Sequence, residues 1–262
     1  MLTRKEQIER TIITKFRKVI WRPFTKAIRD YELIEENDKI AVCISGGKDS
    51  MLMAKCLEEI QKHGKIPFEI VYLVMDPGYN EENKNKIIEN AKTLGINITM
   101  FQSDIFEIVD KDDKGSPCYL CARMRRGCLY KKAQELGCNK IALGHHFDDV
   151  VETILMSMIY NGEFKTMMPK LNSTNFEGMQ LIRPLYNIKE KDILSWKNYN
   201  NLSFLDCACV VVKKDLGKRK EMKELIKVIN SLYKGADINI MNSTKNVNLN
   251  TIISYKINKI DD

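Results

Sequence analysis

The apolar run Ile40-Ala41-Val42-Cys43-Ile44 ends in Ser45-Gly46-Gly47-Lys48-Asp49-Ser50, and Met51-Leu52-Met53-Ala54 follows at once. A buried strand, a glycine pair and a helix-forming segment make a strand–turn–helix unit, the building block of a parallel sheet. The glycines let the backbone turn sharply and approach an anion closely. The N–H groups of the turn and of the helix start then point at that anion. Glycine turns after strands are also common without any ligand, and a Lys and an Asp beside one are then simply solvated. The full six-residue string in this setting is far rarer than either part, which favours a nucleotide site. The ATPase loop G-x-x-x-x-G-K-[ST] is not matched.

The middle of the chain continues the alternation. Strands are expected near residues 39–45, 68–75, 96–102, 139–143 and 179–183, and helices near 49–63, 81–94, 121–136, 147–160 and 189–200. Pro67 and Pro77-Gly78 fall between them. This pattern predicts an α/β fold with a parallel sheet covered on both faces, whose ligands sit outside the carboxyl ends of the strands. Ahead of it, Lys5 to about Ile20 has helical periodicity, with Ile8, Ile12, Phe16 and Val19 on one face. Arg22-Pro23 marks its end or a kink. After residue 201 the alternation stops, and a basic helix near 218–234 and an Asn-rich tail follow. Ile240, Met241, Val247 and Leu249 predict that this tail is docked rather than disordered. The expected organisation is a basic helical extension over 1–35, a nucleotide domain over 36–205 and a C-terminal segment over 206–262.

The formal charge is +7, which fits an anionic partner without demanding one. Its distribution says more. Arg4, Lys5, Arg10, Lys15, Arg17, Lys18, Arg22, Lys26 and Arg29 crowd the N-terminal segment. Arg123, Arg125, Arg126, Lys131 and Lys132 form a second group, and a third runs from Lys213 to Lys234. Aromatics such as Phe16, Trp21, Tyr119, Tyr130 and Tyr233 are interleaved. One basic cluster alone is as often a solvated face as a binding site. Three around one nucleotide domain favour RNA as substrate. No apolar run reaches the ~20 residues that cross a bilayer, and Arg4-Lys5-Glu6 is too charged to lead a signal peptide. The expected location is the cytoplasm.

Eight cysteines in such a chain are not a disulfide framework. Cys43 and Cys56 fall in apolar patterns and read as small core residues, and Cys128 and Cys138 also have more structural weight. That leaves Cys118-Tyr119-Leu120-Cys121 and Cys207-Ala208-Cys209. A C-x-x-C pair alone is ambiguous between a zinc half-site, a redox dithiol and an iron–sulfur half-site. The other motif of interest, Gly144-His145-His146-Phe147-Asp148-Asp149-Val150-Val151-Glu152-Thr153, follows the strand Lys140-Ile141-Ala142-Leu143 and opens a helix. Gly144 is placed to approach a nucleotide. Asp148 and Asp149 either hold Mg²⁺ or orient a reacting group, or only cap the helix.

Taken together these segments resemble the TtcA/TtuA family of tRNA 2-thiolation enzymes, on the TtcA (2-thiocytidine) side. The resemblance spans about residues 20–210. It rests on Ser45–Ser50, on Cys118-Tyr119-Leu120-Cys121-Ala122-Arg123-Met124-Arg125-Arg126-Gly127, on Gly144–Thr153, on Met168-Pro169-Lys170-Leu171 and on Ile182-Arg183-Pro184-Leu185. The short loop resembles the pyrophosphate (PP) loop of enzymes that split ATP into AMP and pyrophosphate. The chain also lacks the N-terminal zinc-finger cysteines of the TtuA branch.

The resemblance implies a Rossmann-like, adenine-nucleotide α-hydrolase-like fold with helical N- and C-terminal extensions. It implies ATP, Mg²⁺ and a [4Fe-4S] cluster as cofactors, with three cysteine ligands and one open iron. The ligands would be Cys118, Cys121 and Cys207, although Asp206-Cys207-Ala208-Cys209 departs from the family's P-C-x-x-C and leaves Cys209 as an alternative. Ser45, Gly46, Gly47, Lys48, Ser50, Met75 and Gly144 would hold the nucleotide, with Met75 and Asp76 bordering adenine or ribose. Asp49 and Asp149 would arrange Mg²⁺ and the attacking oxygen, and Arg125 would stabilise an oxyanion or phosphate. The pyrimidine O2 would attack the α-phosphate, and sulfur would then displace AMP. The implied partners are tRNA and a sulfur donor, either a cysteine desulfurase or free sulfide. A homodimer is common in the family. Thiolation of uridine, another PP-loop reaction (lysidine synthesis, amide formation) and a zinc-stabilised RNA-binding protein are the competing expectations.

Overall fold

The computed structural model describes residues 2–103, 117–205 and 216–255. The chain divides into two compact units, Met1–Val150 with Met168–Gly217, and Val151–Met167 with Lys218–Asp262.

The first unit holds the sheet. Its strands are β1 (Lys39–Cys43), β2 (Glu69–Asp76), β3 (Ile98–Gln102), β4 (Lys140–Ala142), β5 (Lys170–Asn172) and β6 (Gln180–Ile182), in the order β3-β2-β1-β4-β6-β5. All pairings are parallel except β5 against β6. The expected parallel sheet is present, with one antiparallel strand, β5, at its edge. β5 was not expected, because Lys170-Leu171-Asn172 is too short to show alternation, and its pairing with β6 is a contact of the fold.

The chain moves from β1 outward through β2 and β3, then returns to lay β4 on the other side of β1. That reversal opens a crevice at the carboxyl ends of β1 and β4, where doubly wound sheets bind ligands. Helices α3 (Lys48–His63), α4 (Glu81–Leu94), α5 (Pro117–Glu135) and α6 (Phe147–Asn161) connect the strands, and α7 (Glu190–Tyr199) follows β6. Ala41, Cys43, Leu73 and Ile141 of the sheet pack with Tyr130 and Ala133 of α5 in one buried cluster. The small-core expectation for Cys43 and Cys56 holds, both being buried.

The N-terminal segment is helical as expected, but not as one α-helix. It comprises α1 (Arg4–Ile13), a π-helical turn (Arg17–Trp21) and α2 (Arg22–Asp30). Its large buried residues are Ile8, Ile12, Phe16, Ile20, Phe24 and Ile28, spaced by four, with the small Ala27 buried beside them. A stripe at that spacing drifts around an α-helix of 3.6 residues per turn by ~40° per step. The wider turn, with Phe16 N donating to Thr11 O (2.9 Å) and Trp21 N to Phe16 O (3.4 Å), takes up the drift. Ile20, not Val19, thus faces the core; Val19 is 38% exposed. Pro23 sits in the first turn of α2, where its missing N–H costs nothing.

Lys55 of α3 is 0% exposed and ties three helices together. Its ammonium donates to Glu9 Oε1 (2.5 Å), to Leu94 O (2.8 Å) and to Glu58. Lys5 and Lys62 close the network onto Glu58 at 3.1 and 2.9 Å.

The second unit is helical: the later part of α6, then α8 (Leu216–Leu232), α9 (Ala236–Ser243) and a 3₁₀ turn (Leu249–Thr251). Met222, Ala236 and Met241 are buried in it; the docked-tail expectation thus holds at Met241 but not at Val247 and Leu249, which are exposed. Glu152 is buried with Arg219 and Lys223 each 3.8 Å away. Among the described residues no helix is long and apolar enough to cross a membrane.

Candidate nucleotide site

The turn after β1 is built from its own polar groups. Ser45 N donates to Ser50 Oγ (3.1 Å), Ser50 Oγ donates to Gly47 O (3.0 Å), and Gly47 N leans on Ser45 Oγ (3.4 Å). The serines at the two ends of the motif thus fold the loop back onto the start of α3. Gly46 has φ +82, and a Cβ there would lie 2.7 Å from Ile87 Cγ1. Gly47, the N-cap of α3, is ordinary extended backbone, and a Cβ there would meet nothing nearer than Ser45 Oγ at 3.5 Å. The fold requires a glycine at the first position and tolerates a side chain at the second.

The loop after β4 lies against this turn. A Cβ on Gly144 would come within 3.1 Å of Ser50 N and 3.2 Å of Asp49 C. Gly144 is therefore needed for the approach of two backbones, whatever else it borders. Asp149, at the third position of α6, accepts the His146 N–H (2.9 Å), so the capping role does apply to it. Asp148 accepts the Glu190 N–H (2.7 Å) and fixes the start of α7.

A cavity of about 350 Å³ opens between these loops. Ser45, Asp49, Ser50, Met75, Gly144, Asp149 and Arg125, all expected site residues, line it. Arg126 and His145 line it too and were not singled out from sequence. Gly46, Gly47 and Lys48 belong to the turn but not to the cavity wall. Lys48 instead lies 3.1 Å from both Asp49 Oδ2 and Glu190 Oε1. Asp76 is turned away: it accepts the N–H groups of Gly78 (2.9 Å) and Tyr79 (2.7 Å) and pairs with Lys84 (3.5 Å).

Charge is unevenly balanced here. Burial pushes the Asp49 carboxyl above its ordinary value, and Lys48 and His146 offset only part of that. Asp49 Oδ1 is buried without a hydrogen-bond donor among the described residues. Burial alone would lower the Lys48 ammonium, yet Asp49 and Glu190 outweigh it and leave it raised. His146, 4% exposed, sits among Asp49 (3.9 Å), Asp148 (3.7 Å) and Asp149 (3.5 Å). Arg183 is buried behind β6; burial draws its guanidinium down to about 10. The sequence placed it in a motif without giving it a role.

Helix α5 starts at Pro117 and carries Cys118 and Cys121 in its first turn. Arg125, four residues beyond Cys121, reaches the cavity and lies 3.5 Å from Tyr79 Oη. The expected third ligand, Cys207, and its alternative Cys209 lie outside the described residues.

A strand–glycine-turn–helix unit at the switch point of a mostly parallel sheet, with carboxylates and arginines around one cavity, defines a nucleotide-binding α/β protein of the PP-loop type. The sequence profile of the PP-loop domain matches residues 14–209. The tRNA-cytidine(32) 2-sulfurtransferase of Burkholderia multivorans is 38% identical over 251 residues, covering 94% of this chain and 74% of the relative. That of Alcanivorax borkumensis is 37% identical over 244 residues, 91% and 84% of the two chains. The chain belongs to the PP-loop domain family and, within it, to the family of these tRNA-cytidine(32) 2-sulfurtransferases. Among solved structures, the U34-tRNA thiolase NcsA from Methanococcus maripaludis, with its [4Fe-4S] cluster, has the same fold. Its TM-score is 0.69 at 23% identity, over 86% of this chain and 76% of that one.

Proposed function

We propose that this chain is an ATP-dependent tRNA sulfurtransferase that converts a cytidine, position 32 as in its relatives, to 2-thiocytidine. The observation that carries this reading is helix α5. It bears the Cys118/Cys121 pair in its first turn and lines the nucleotide cavity with Arg125 and Arg126 about one turn later, roughly 6 Å along the axis.

The residues fit the groups that the reaction needs. The turn at Gly46-Gly47 and the N-terminus of α3 present N–H groups to pyrophosphate, and the open Cβ position of Gly47 leaves room for it. Asp49 Oδ1, a buried acceptor without a donor, suits Mg²⁺, which takes one or two carboxylates and fills its shell with water and phosphate oxygens. Cys118 and Cys121 are three residues apart on one helix and so share a face. Leu205, two residues before Cys207 in sequence, donates its N–H to Gly46 O (3.2 Å), which holds Leu205 at the loop.

In this scheme the loop and Lys48 bind the β- and γ-phosphates. Arg125 and Arg126 neutralise charge as the cytidine O2 attacks the α-phosphate and pyrophosphate departs. Asp49 and Asp149 would hold Mg²⁺, which would help neutralise the phosphates. Met75 closes the cavity floor against the nucleoside. Cys118, Cys121 and Cys207 would hold the [4Fe-4S] cluster, which would supply the sulfur that replaces the adenylated oxygen.

The tRNA backbone would meet the basic N-terminal segment. Arg10, Arg17, Lys18 and Arg22 are exposed there and make no ion pair among the described residues. A cytoplasmic location, a cysteine desulfurase or free sulfide as donor, and a homodimer complete the proposal.

Anaerobically reconstituted protein, given tRNA, ATP, Mg²⁺ and sulfide, is expected to release AMP and to yield 2-thiocytidine by nucleoside mass spectrometry. AMP release with an unmodified tRNA, or thiolation undiminished in Cys118→Ala, would refute the cluster-dependent reading.

A further inference from the structure

Lys48 is held from two sides. Its side chain is 19% exposed, and its ammonium sits 3.1 Å from Asp49 Oδ2 and 3.1 Å from Glu190 Oε1. Asp49 is its neighbour on the same helix. Glu190 comes from α7 and is itself fixed, since its backbone N–H donates to Asp148 Oδ2 at 2.7 Å. Two carboxylates thus satisfy one ammonium before any phosphate is present, and together they raise its basicity against the effect of burial. A phosphate that enters the turn must take Lys48 from at least one of them. Glu190 is the partner that comes from outside α3.

Resting on the nucleotide reading above, we infer that Glu190 is a positioning residue that competes with pyrophosphate for Lys48. It pairs with the ammonium when the loop holds no phosphate. It yields the ammonium as the phosphates enter and takes it back as pyrophosphate leaves. No covalent bond changes in this exchange; one anion replaces another on the same cation. A charge-assisted hydrogen bond contributes about 1.5–3 kcal/mol, and partial exposure of both groups draws that toward the ~1 kcal/mol of surface pairs. The competition is therefore worth on the order of tenfold in affinity.

A bare helix-capping role for Glu190 predicts something different. An acidic residue in the first turn of α7 favours that helix through its dipole. Losing it would lower thermal stability without touching pyrophosphate affinity. Pre-organisation of Lys48 for binding predicts weaker affinity when Glu190 is lost.

Calorimetric titration with inorganic pyrophosphate and Mg²⁺ separates these, using the parent protein, Glu190→Gln, Lys48→Met and the double variant. Glu190→Gln is expected to bind about tenfold more tightly, and the gain is expected to vanish in the Lys48→Met background. In turnover with tRNA, kcat and KM for ATP should fall together while single-turnover adenylation is unchanged, because release has become slow. Unchanged or weaker binding in Glu190→Gln, or a gain that survives loss of Lys48, overturns the inference. A parent protein that binds no pyrophosphate overturns the nucleotide reading and this inference with it. Normal parent binding that Glu190→Gln leaves unaltered overturns the inference alone. Should Glu190→Gln not fold, Glu190→Asp, which shortens the reach and keeps the charge, is read the same way with a smaller gain.

Discussion

The two glycines of the loop are predicted to fail in opposite ways. Gly46 adopts φ +82, which costs an L-residue about 1–2 kcal/mol. A Cβ there would also come within 2.7 Å of Ile87 Cγ1 and 3.0 Å of Leu205 Cδ1. Relieving such overpacking costs a further ~1–3 kcal/mol. Gly46→Ala should therefore lose roughly 2–5 kcal/mol, a fall in Tm on the order of 10 °C for a unit of this size. Gly47 has φ −83 and ψ 163, which alanine adopts freely, and its Cβ would meet only ordinary contacts at 3.5 and 3.7 Å. Alanine is a poorer N-cap than glycine by under ~1 kcal/mol, and it gains back about 0.4–1 kcal/mol by restricting the unfolded chain. Gly47→Ala should keep the parent stability to within about 0.5 kcal/mol. Its methyl group would nevertheless stand where the phosphates approach, so pyrophosphate binding should fall at least about tenfold, or ~1.4 kcal/mol. Thermal unfolding by circular dichroism, paired with pyrophosphate titration, reads both. A Gly46→Ala protein as stable as the parent would refute the steric account of the turn. A Gly47→Ala protein that binds pyrophosphate normally would refute the assignment of the second glycine to the ligand.

Four other outcomes are expected. Asp149→Ala should lose about 1 kcal/mol through the His146 cap and most AMP release, whereas Asp149→Asn should keep the cap and still lose the AMP release. Replacing Arg17, Lys18 and Arg22 with Gln should weaken tRNA binding and flatten its dependence on log[salt] by about 2, with pyrophosphate affinity unchanged. Hydrogen bonds from Lys55, Lys62 and Lys5 hold the Glu58 carboxyl below its ordinary value of 4.5 despite its burial. Its contribution is thus complete above that pH and lost as pH falls through the lower folded value, so the Tm deficit of Glu58→Gln at pH 7 should shrink below pH 4.5. Iron analysis of Cys207→Ala and Cys209→Ala should show loss of the cluster in the first and retention in the second; the reverse result would move the third ligand to Cys209.

The elements were legible because their signals are local. Ser45–Ser50 announces a turn and a helix start by its own residues, and the strand run before it does the same. The N-terminal stripe was half legible. Ile8, Ile12 and Phe16 suit a 3.6-residue period, which then selects Val19. The four-residue spacing that continues through Ile20, Phe24 and Ile28 was the clue to the wider turn. Of the three short strands, β4 and β6 were expected and β5 was not. β4 and β6 follow visible apolar runs, whereas β5 has none and exists through its pairing with β6.

The site divides along the same line. The sequence by itself determined which groups are available: a glycine turn that can hold an anion, a carboxylate pair opening α6, and a C-x-x-C one turn ahead of two arginines. These are relations across a few residues, fixed by backbone geometry. Only the tertiary structure decided that Gly144 exists to let its loop touch Ser50, that Asp76 faces its own turn rather than the nucleotide, and that Lys48 is shared with Glu190, 142 residues away. Such contacts arise where the sheet order reverses between β1 and β4 and brings distant loops to one edge. No periodicity within either loop records which partner it will meet there.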